Sequence, residues 1–273
     1  MVRILVTNDD GIDSIGLHFL ARALTDLGDV VVIAPDREYS GAGASVGALL
    51  EFRPVVVRHT IDGIPEAWSL NGPPALCVMY ARLGVFGPGF DLVVAGINPG
   101  ANVGRSVYYS GTIGACLAAR NGDVSGVAVS QSVTGWGIEG QGWADALQNQ
   151  KWHVAAEVAR AWVAAMLTDP PESPVVVNLN VPNLELADIA GWEVTQVGLH
   201  PPRAMAKGEL VATDDPAVFG VELAWGDALE LPAHTDGGAI ERNLVTVSYL
   251  SRIVAEQRPD LAKSEAALDG LLG

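Results

Sequence analysis

The residues best suited to chemistry fall in three short polar segments, each closing an apolar run. The first is Asn8-Asp9-Asp10-Gly11, two adjacent carboxylates after the run that starts at Arg3. Like charges so close repel, and one tends to take up a proton unless a cation or donors compensate. Two readings meet this condition. One is a site for a hard cation such as magnesium or manganese, which prefers carboxylate, amide and water oxygens. The other is a turn whose carboxylate caps the following helix. The second segment, Asp36-Arg37-Glu38-Tyr39-Ser40-Gly41-Ala42-Gly43, offers the Ser40 hydroxyl among glycines that permit close backbone approach. A plain surface loop explains the same residues. Arg37 suits a phosphate, or equally an ion pair with Asp36 or Glu38. The third segment runs Gly96-Ile97-Asn98-Pro99-Gly100-Ala101-Asn102-Val103-Gly104 and on to Tyr109-Ser110-Gly111-Thr112. Asn98 ends a buried strand, where its amide oxygen can meet a cation. Ser110, Gly111 and Thr112 open a helix, whose first amides, hydroxyls and dipole suit a phosphate. Ser110 as a simple N-cap accounts for the pattern as well, and Asn102 suits either a substrate or a turn.

Alternating apolar strands and helices supply the frame that must carry these segments. Strand-like runs cover residues 3–8, 30–35, 55–58, 91–98, 124–130, 175–181 and 244–250. Helical patterns cover 15–27, 73–83 and 111–120, and a longer helix carries Leu147, Val154, Val158, Ala161 and Ala165 on one face until Pro170-Pro171 stops it. Continuous apolar strands separated by helices predict a mostly parallel sheet covered on both faces, an α/β Rossmann-like three-layer sandwich. Its core is expected over 1–197. Residues 198–243, rich in Pro, Asp and Gly, read as a projecting hairpin or loop region, and 244–273 as a C-terminal strand with a helical tail. In an open parallel sheet, ligands bind beyond the carboxyl ends of the strands, near a switch in strand order. All three polar segments fall at such ends.

Composition narrows the classes. With 49% hydrophobic and 18% charged residues in 273, the chain can bury a substantial core and is no disordered segment. The formal net charge of −16, with no Lys/Arg cluster, argues against extended nucleic acid and anionic membranes as partners. It would also repel a small phosphate-bearing substrate, unless a bound divalent cation reverses the sign locally. Neither a membrane-spanning run nor a signal-peptide pattern is present, so a cytoplasmic location is expected. Cys77 and Cys116 read as buried small hydrophobes. His18, His59, His153, His200 and His234 show no metal-ligand spacing; His234, ahead of Thr235-Asp236, is a candidate acid or substrate contact. Trp143, Trp152 and Trp162 are expected to pack. No Gly-x-Gly-x-x-Gly follows the first strand, against a dinucleotide oxidoreductase, and a Gly-Lys-Ser/Thr loop is absent too. Haloacid-dehalogenase-like phosphatases place a nucleophilic Asp where this chain has Asn8. An amide cannot serve there, so attack would fall to water.

Taken in order, ILVTNDDGI, APDREYSGAG, AGINPGANVG and YYSGTIGA resemble the SurE family of stationary-phase survival proteins, with weaker echoes in NGPPALCV, VNLNVPN and HTDGGAIERNLVTVSYL. The likeness spans about Arg3 to Leu250. It implies a 5′/3′-nucleotidase acting on nucleoside monophosphates, with one divalent metal ion per subunit, magnesium or manganese, held by Asp9, Asp10, Ser40 and Asn98. It implies phosphate contacts from Asn102, Ser110, Gly111 and Thr112. Asp9 and Asp10 are the catalytic candidates, one of them orienting or deprotonating the attacking water. A homodimer or homotetramer built by exchanging C-terminal segments is expected. The chain departs from the family pattern at Ala118-Ala119-Arg120, over 198–231 and at Val247-Ser248-Tyr249-Leu250. The competing class is a non-catalytic or carbohydrate-active Rossmann-like module that binds a nucleotide without hydrolysing it.

Overall fold

Strands whose residues are apolar on both faces have to be covered twice, and the computed structural model does this with one large sheet between two helical layers. It describes residues 1–47, 53–133, 147–200, 205–251 and 253–272. The strands are β1 (Arg3–Thr7), β2 (Asp29–Pro35), β3 (Val56–Ile61), β4 (Ile64–Leu70), β5 (Leu92–Pro99), β6 (Ser125–Gln131), β7 (Val176–Val181), β8 (Gly191–Val194), β9 (Met205–Ala212), β10 (Phe219–Trp225) and β11 (Leu244–Leu250). The α-helices are α1 (Ile15–Ala23), α2 (Pro74–Arg82), α3 (Gly111–Arg120), α4 (Trp152–Thr168), α5 (Asp236–Glu241) and α6 (Ala262–Leu272).

Nine strands form the main sheet in the order β3-β4-β2-β1-β5-β6-β7-β11-β8. From β4 to β7 all neighbours are parallel. Antiparallel neighbours enter at β3 and β11, and β8 runs parallel to β11. Alternation along β1 shows how the layers are fed: Ile4 and Val6 join α1 and α4 through Leu17, Leu20, Val154 and Val163. Leu5 faces the other way, toward Leu76 and Cys77 of α2 and Ile113 and Cys116 of α3. Each aliphatic side chain so enclosed contributes roughly 1.5–3 kcal/mol. The two cysteines are free and buried, and burial pushes both thiols above their usual range. The chain leads from β1 outward to β2 and β4, then returns to place β5 on β1's other side. The strand order therefore switches between β1 and β5.

Three local expectations change. The run at 55–58 becomes β3, an edge strand returning antiparallel along β4 through the Asp62-Gly63 turn. Ile-Pro-Glu-Ala-Trp-Ser-Leu in β4 mixes polar and apolar residues, which hid that strand from a periodicity argument. The long helix begins at Trp152, and Leu147 lies in a turn before it. A helix running through from Leu147 would direct the Lys151 amide to the Leu147 carbonyl. Instead the Asn183 side-chain oxygen accepts that amide at 2.9 Å, so a long-range partner sets the helix start. The glycine-rich stretch from 134 and Trp143 lie outside the described residues. Strands β9 and β10 pair antiparallel with each other in a separate two-stranded sheet. Among the described residues no helix is long and apolar enough to cross a membrane.

Candidate active site

The three polar segments meet over the carboxyl ends of β1, β2 and β5, and backbone bonds tie them together. The Tyr39 amide donates to the Asp9 carbonyl at 2.7 Å, and the Gly43 amide to the Tyr109 carbonyl at 2.9 Å. The 36–43 loop is thus fastened to the end of β1 and to the approach to α3. Two glycines of Ser110-Gly111-Thr112-Ile113-Gly114 exist for this closeness. A Cβ on Gly111 would lie 2.7 Å from the Asp9 Cβ, and one on Gly114 would run into the Gly43 carbonyl.

Asp9 is 2% exposed. Its carboxylate sits on the N-terminus of α3, accepting the Gly111 amide at 3.1 Å and the Thr112 hydroxyl at 2.5 Å. Donors and helix dipole favour the anion, yet burial outweighs them and the carboxyl is held above its ordinary range. Asp10 is less well served. Burial first, then Asp9 and Glu38, push it up to about 8. Its Oδ2 is buried with no hydrogen-bond partner among the described residues. Asn8 closes the turn, its amide donating to the Gly11 carbonyl at 3.0 Å.

Asp9, Asp10, Ser40, Asn98, Asn102 and Ser110 all line one cleft of about 360 Å³, with Glu38, Ser106 and Tyr109 on its walls. Its volume is of small-ligand size. Among the described residues the lining holds three carboxylates and no Lys, Arg or His. Asn98 spends its amide nitrogen on the Gly100 carbonyl at 2.7 Å, leaving the amide oxygen as acceptor. Ser110 does N-cap α3, accepting the Ile113 amide at 3.1 Å; among the described residues its hydroxyl proton has no acceptor. Gly111 and Thr112, expected against phosphate, donate to Asp9 in this structure.

Several residues that shape the cleft were not singled out from the sequence. Asn102 is clamped from beneath. Its amide donates to Asn180 Oδ1 at 2.7 Å and its carbonyl accepts from Asn178 Nδ2 at 2.9 Å. Its own Nδ2 donates to Ser130 Oγ at 2.9 Å. Asn180 reaches Thr246 of β11 at 3.2 Å. Asp236, fully buried at the start of α5, accepts amides from Gly104 at 3.1 Å, Gly198 at 2.9 Å and Gly237 at 2.8 Å. The signal for them was modest: two asparagines alternating in the apolar Val-Val-Asn-Leu-Asn-Val of β7, and an acidic residue before Gly237-Gly238. His234 is exposed and does not line the cleft.

The donor set fits a hard divalent cation. Two neighbouring carboxylates held above their ordinary range, one buried orphan oxygen, an amide oxygen and a hydroxyl share a cleft whose described lining has no cationic side chain. Among the described residues no group of three His, Cys, Asp or Glu could hold a metal, so Asn98 and Ser40 would have to complete the shell.

The family model described as "Survival protein SurE" matches residues 4–203. The chain belongs to the SurE family. Over 254 residues it is 33% identical to the 5′-nucleotidase SurE of Aeromonas hydrophila subsp. hydrophila, covering 92% of each chain. The SurE protein crystal structure from Aquifex aeolicus superposes with a TM-score of 0.72 at 29% identity, covering 98% of this chain and 99% of the other. The acidic turn, the Ser40 loop and the α3 start of this SurE protein all fall within the residues that the family model matches.

Proposed function

We propose that this SurE protein hydrolyses nucleoside 5′- or 3′-monophosphates to nucleoside and phosphate with the help of magnesium or manganese. The observation that carries the reading is a cleft with three carboxylates, an orphaned buried Asp10 oxygen and no basic side chain among its described lining, beside a helix start with a free hydroxyl proton. An anionic ester does not enter such a cleft unless positive charge is added.

Asp9, Asp10, Ser40 and Asn98 would hold the cation. What it supplies there is Lewis-acid polarisation of the phosphoryl group and easier deprotonation of water. Ser110 donates its hydroxyl proton to a phosphoryl oxygen, and Asn102 borders the same group from a backbone held by Asn178 and Asn180. Gly111 and Thr112 orient Asp9 and work against the effect of its burial, and the remaining field of α3 favours the charge that develops during transfer. Asp10, with an oxygen free of protein partners, orients the attacking water or takes its proton. Preorganised positions of this kind are where much of the rate of phosphoryl transfer originates. The likeness to the family also supports a homodimer or homotetramer.

Phosphate release from a panel of nucleoside monophosphates, with magnesium, manganese or chelator, tests the proposal. Metal-dependent turnover, lost in Asp9→Asn, is expected. Tight nucleotide binding without turnover would favour the binding-module reading instead.

A further inference from the structure

We propose that Tyr109 is the base-recognition platform of this cleft, on which the planar ring of the substrate stacks. The inference rests on the phosphomonoesterase reading and deepens it. Tyr109 lines the cleft, yet 68% of it is exposed, so no described protein group covers its ring well. An aromatic ring left open to water at a small-molecule cleft keeps its face available for a flat apolar ligand. Its backbone, by contrast, is fixed: the amide donates to the Ser106 carbonyl at 3.0 Å and the carbonyl accepts from Gly43 at 2.9 Å. The ring therefore stands on a rigid base.

Position completes the case. Tyr109 directly precedes Ser110, whose hydroxyl faces the phosphate end in the proposed reaction, and consecutive Cα atoms are about 3.8 Å apart. Both residues line the same cleft, so an ester whose phosphate meets Ser110 has the Tyr109 ring within that cleft. The other cleft side chains are carboxylates, hydroxyls, amides and a proline. None of them carries an aromatic ring, so among the described residues Tyr109 is the only aromatic member of that lining. Stacking on one ring is indifferent to which base is presented, because every base has such a face. The chemistry predicts discrimination for nucleotides over base-free sugar phosphates, with loose preference among bases. The neighbouring Tyr108 is 78% exposed but does not line the cleft, and provides an internal control.

The test compares kcat/KM for adenosine 5′-monophosphate with kcat/KM for ribose 5-phosphate, the same ester without its base. In Tyr109→Ala the ratio of the two should fall about 5- to 140-fold, which is the roughly 1–3 kcal/mol of base–aromatic stacking at 1.4 kcal/mol per decade. Tyr109→Trp should retain the ratio, and Tyr108→Ala should leave it unaltered. A residue that merely supported the fold would lower both values together and keep their ratio. Should the alanine variant fail to fold, Tyr109→Leu fills the volume without a π system and is expected to lose the ratio likewise. Turnover of both substrates at an unchanged ratio in Tyr109→Ala or Tyr109→Leu would overturn the stacking role alone. Absence of phosphate release from every nucleoside monophosphate of the panel by the unaltered protein would overturn the hydrolase reading and this inference with it.

Discussion

Replacing Asp10 by asparagine should make the metal-free protein more stable while disabling it. Asp10 is pushed up to about 8 from its ordinary 3.8, by burial and by the charges of Asp9 and Glu38. The unfolded chain has no such environment, so between those two values the native state binds more protons than the unfolded one. Stability then falls as pH rises through this window, and the full loss is reached above about pH 8. At 1.36 kcal/mol per unit, the gap between the unfolded value and neutral pH corresponds to about 4 kcal/mol. The amide introduced by Asp10→Asn carries no charge, so on the order of 2–4 kcal/mol should be recovered at neutral pH and almost none at about pH 4. For a domain of this size that is a rise in Tm of about 4–8 °C. Thermal unfolding of both proteins with chelator, at about pH 4 and about pH 7, measures it. Added magnesium or manganese should raise the melting temperature of the parent protein through linkage and leave that of Asp10→Asn little changed. An Asp10→Asn protein that is less stable at neutral pH, or that gains as much from the metal as the parent, would refute the electrostatic reasoning.

Thr112→Val removes the hydroxyl that holds Asp9 at 2.5 Å. A charged-group hydrogen bond of about 1.5–3 kcal/mol is lost, and a drop in kcat of at least about tenfold is expected by steady-state phosphate release. Gly114→Ala should gain up to about 1 kcal/mol of helix propensity but lose more, because its methyl would displace the Gly43 carbonyl and the Ser40 loop; lower melting temperature and lower kcat are both predicted. Asp236→Asn swaps an acceptor for a donor opposite buried amides. A cost of about 1–3 kcal/mol in urea unfolding, with weaker turnover through the displaced 100–104 loop, follows. Asn180→Ala should act on the same loop by freeing Asn102, seen as a fall in kcat/KM.

Much of this protein was legible locally. Apolar runs without a polar face required a covered, mostly parallel sheet, and Asp9-Asp10, Ser40, Asn98 and Ser110 could be read as strand-end residues because strand ends are marked by where hydrophobicity stops. What stayed hidden depended on pairing between distant segments. The Lys151 amide could not be known to prefer Asn183 over Leu147, and β4 carries no clean period to announce its place beside β2. The sequence offers Gly111 and Thr112 to any anion, because a helix start attracts negative charge. That the nearest anion is Asp9, 102 and 103 residues earlier, follows only from how β1 and α3 lie in space.

Which residues could carry charge, oxygen donors and helix-start amides, and their gathering at one end of a sheet, are properties of short windows and of alternation. Their bracing comes from contacts made across the folded chain. Asn102 is clamped by Asn180, 78 residues away, and Gly104 by Asp236, 132 residues away. Such bonds depend on strand order and register, which no single window encodes, and on burial, which makes an unmet amide too costly to leave.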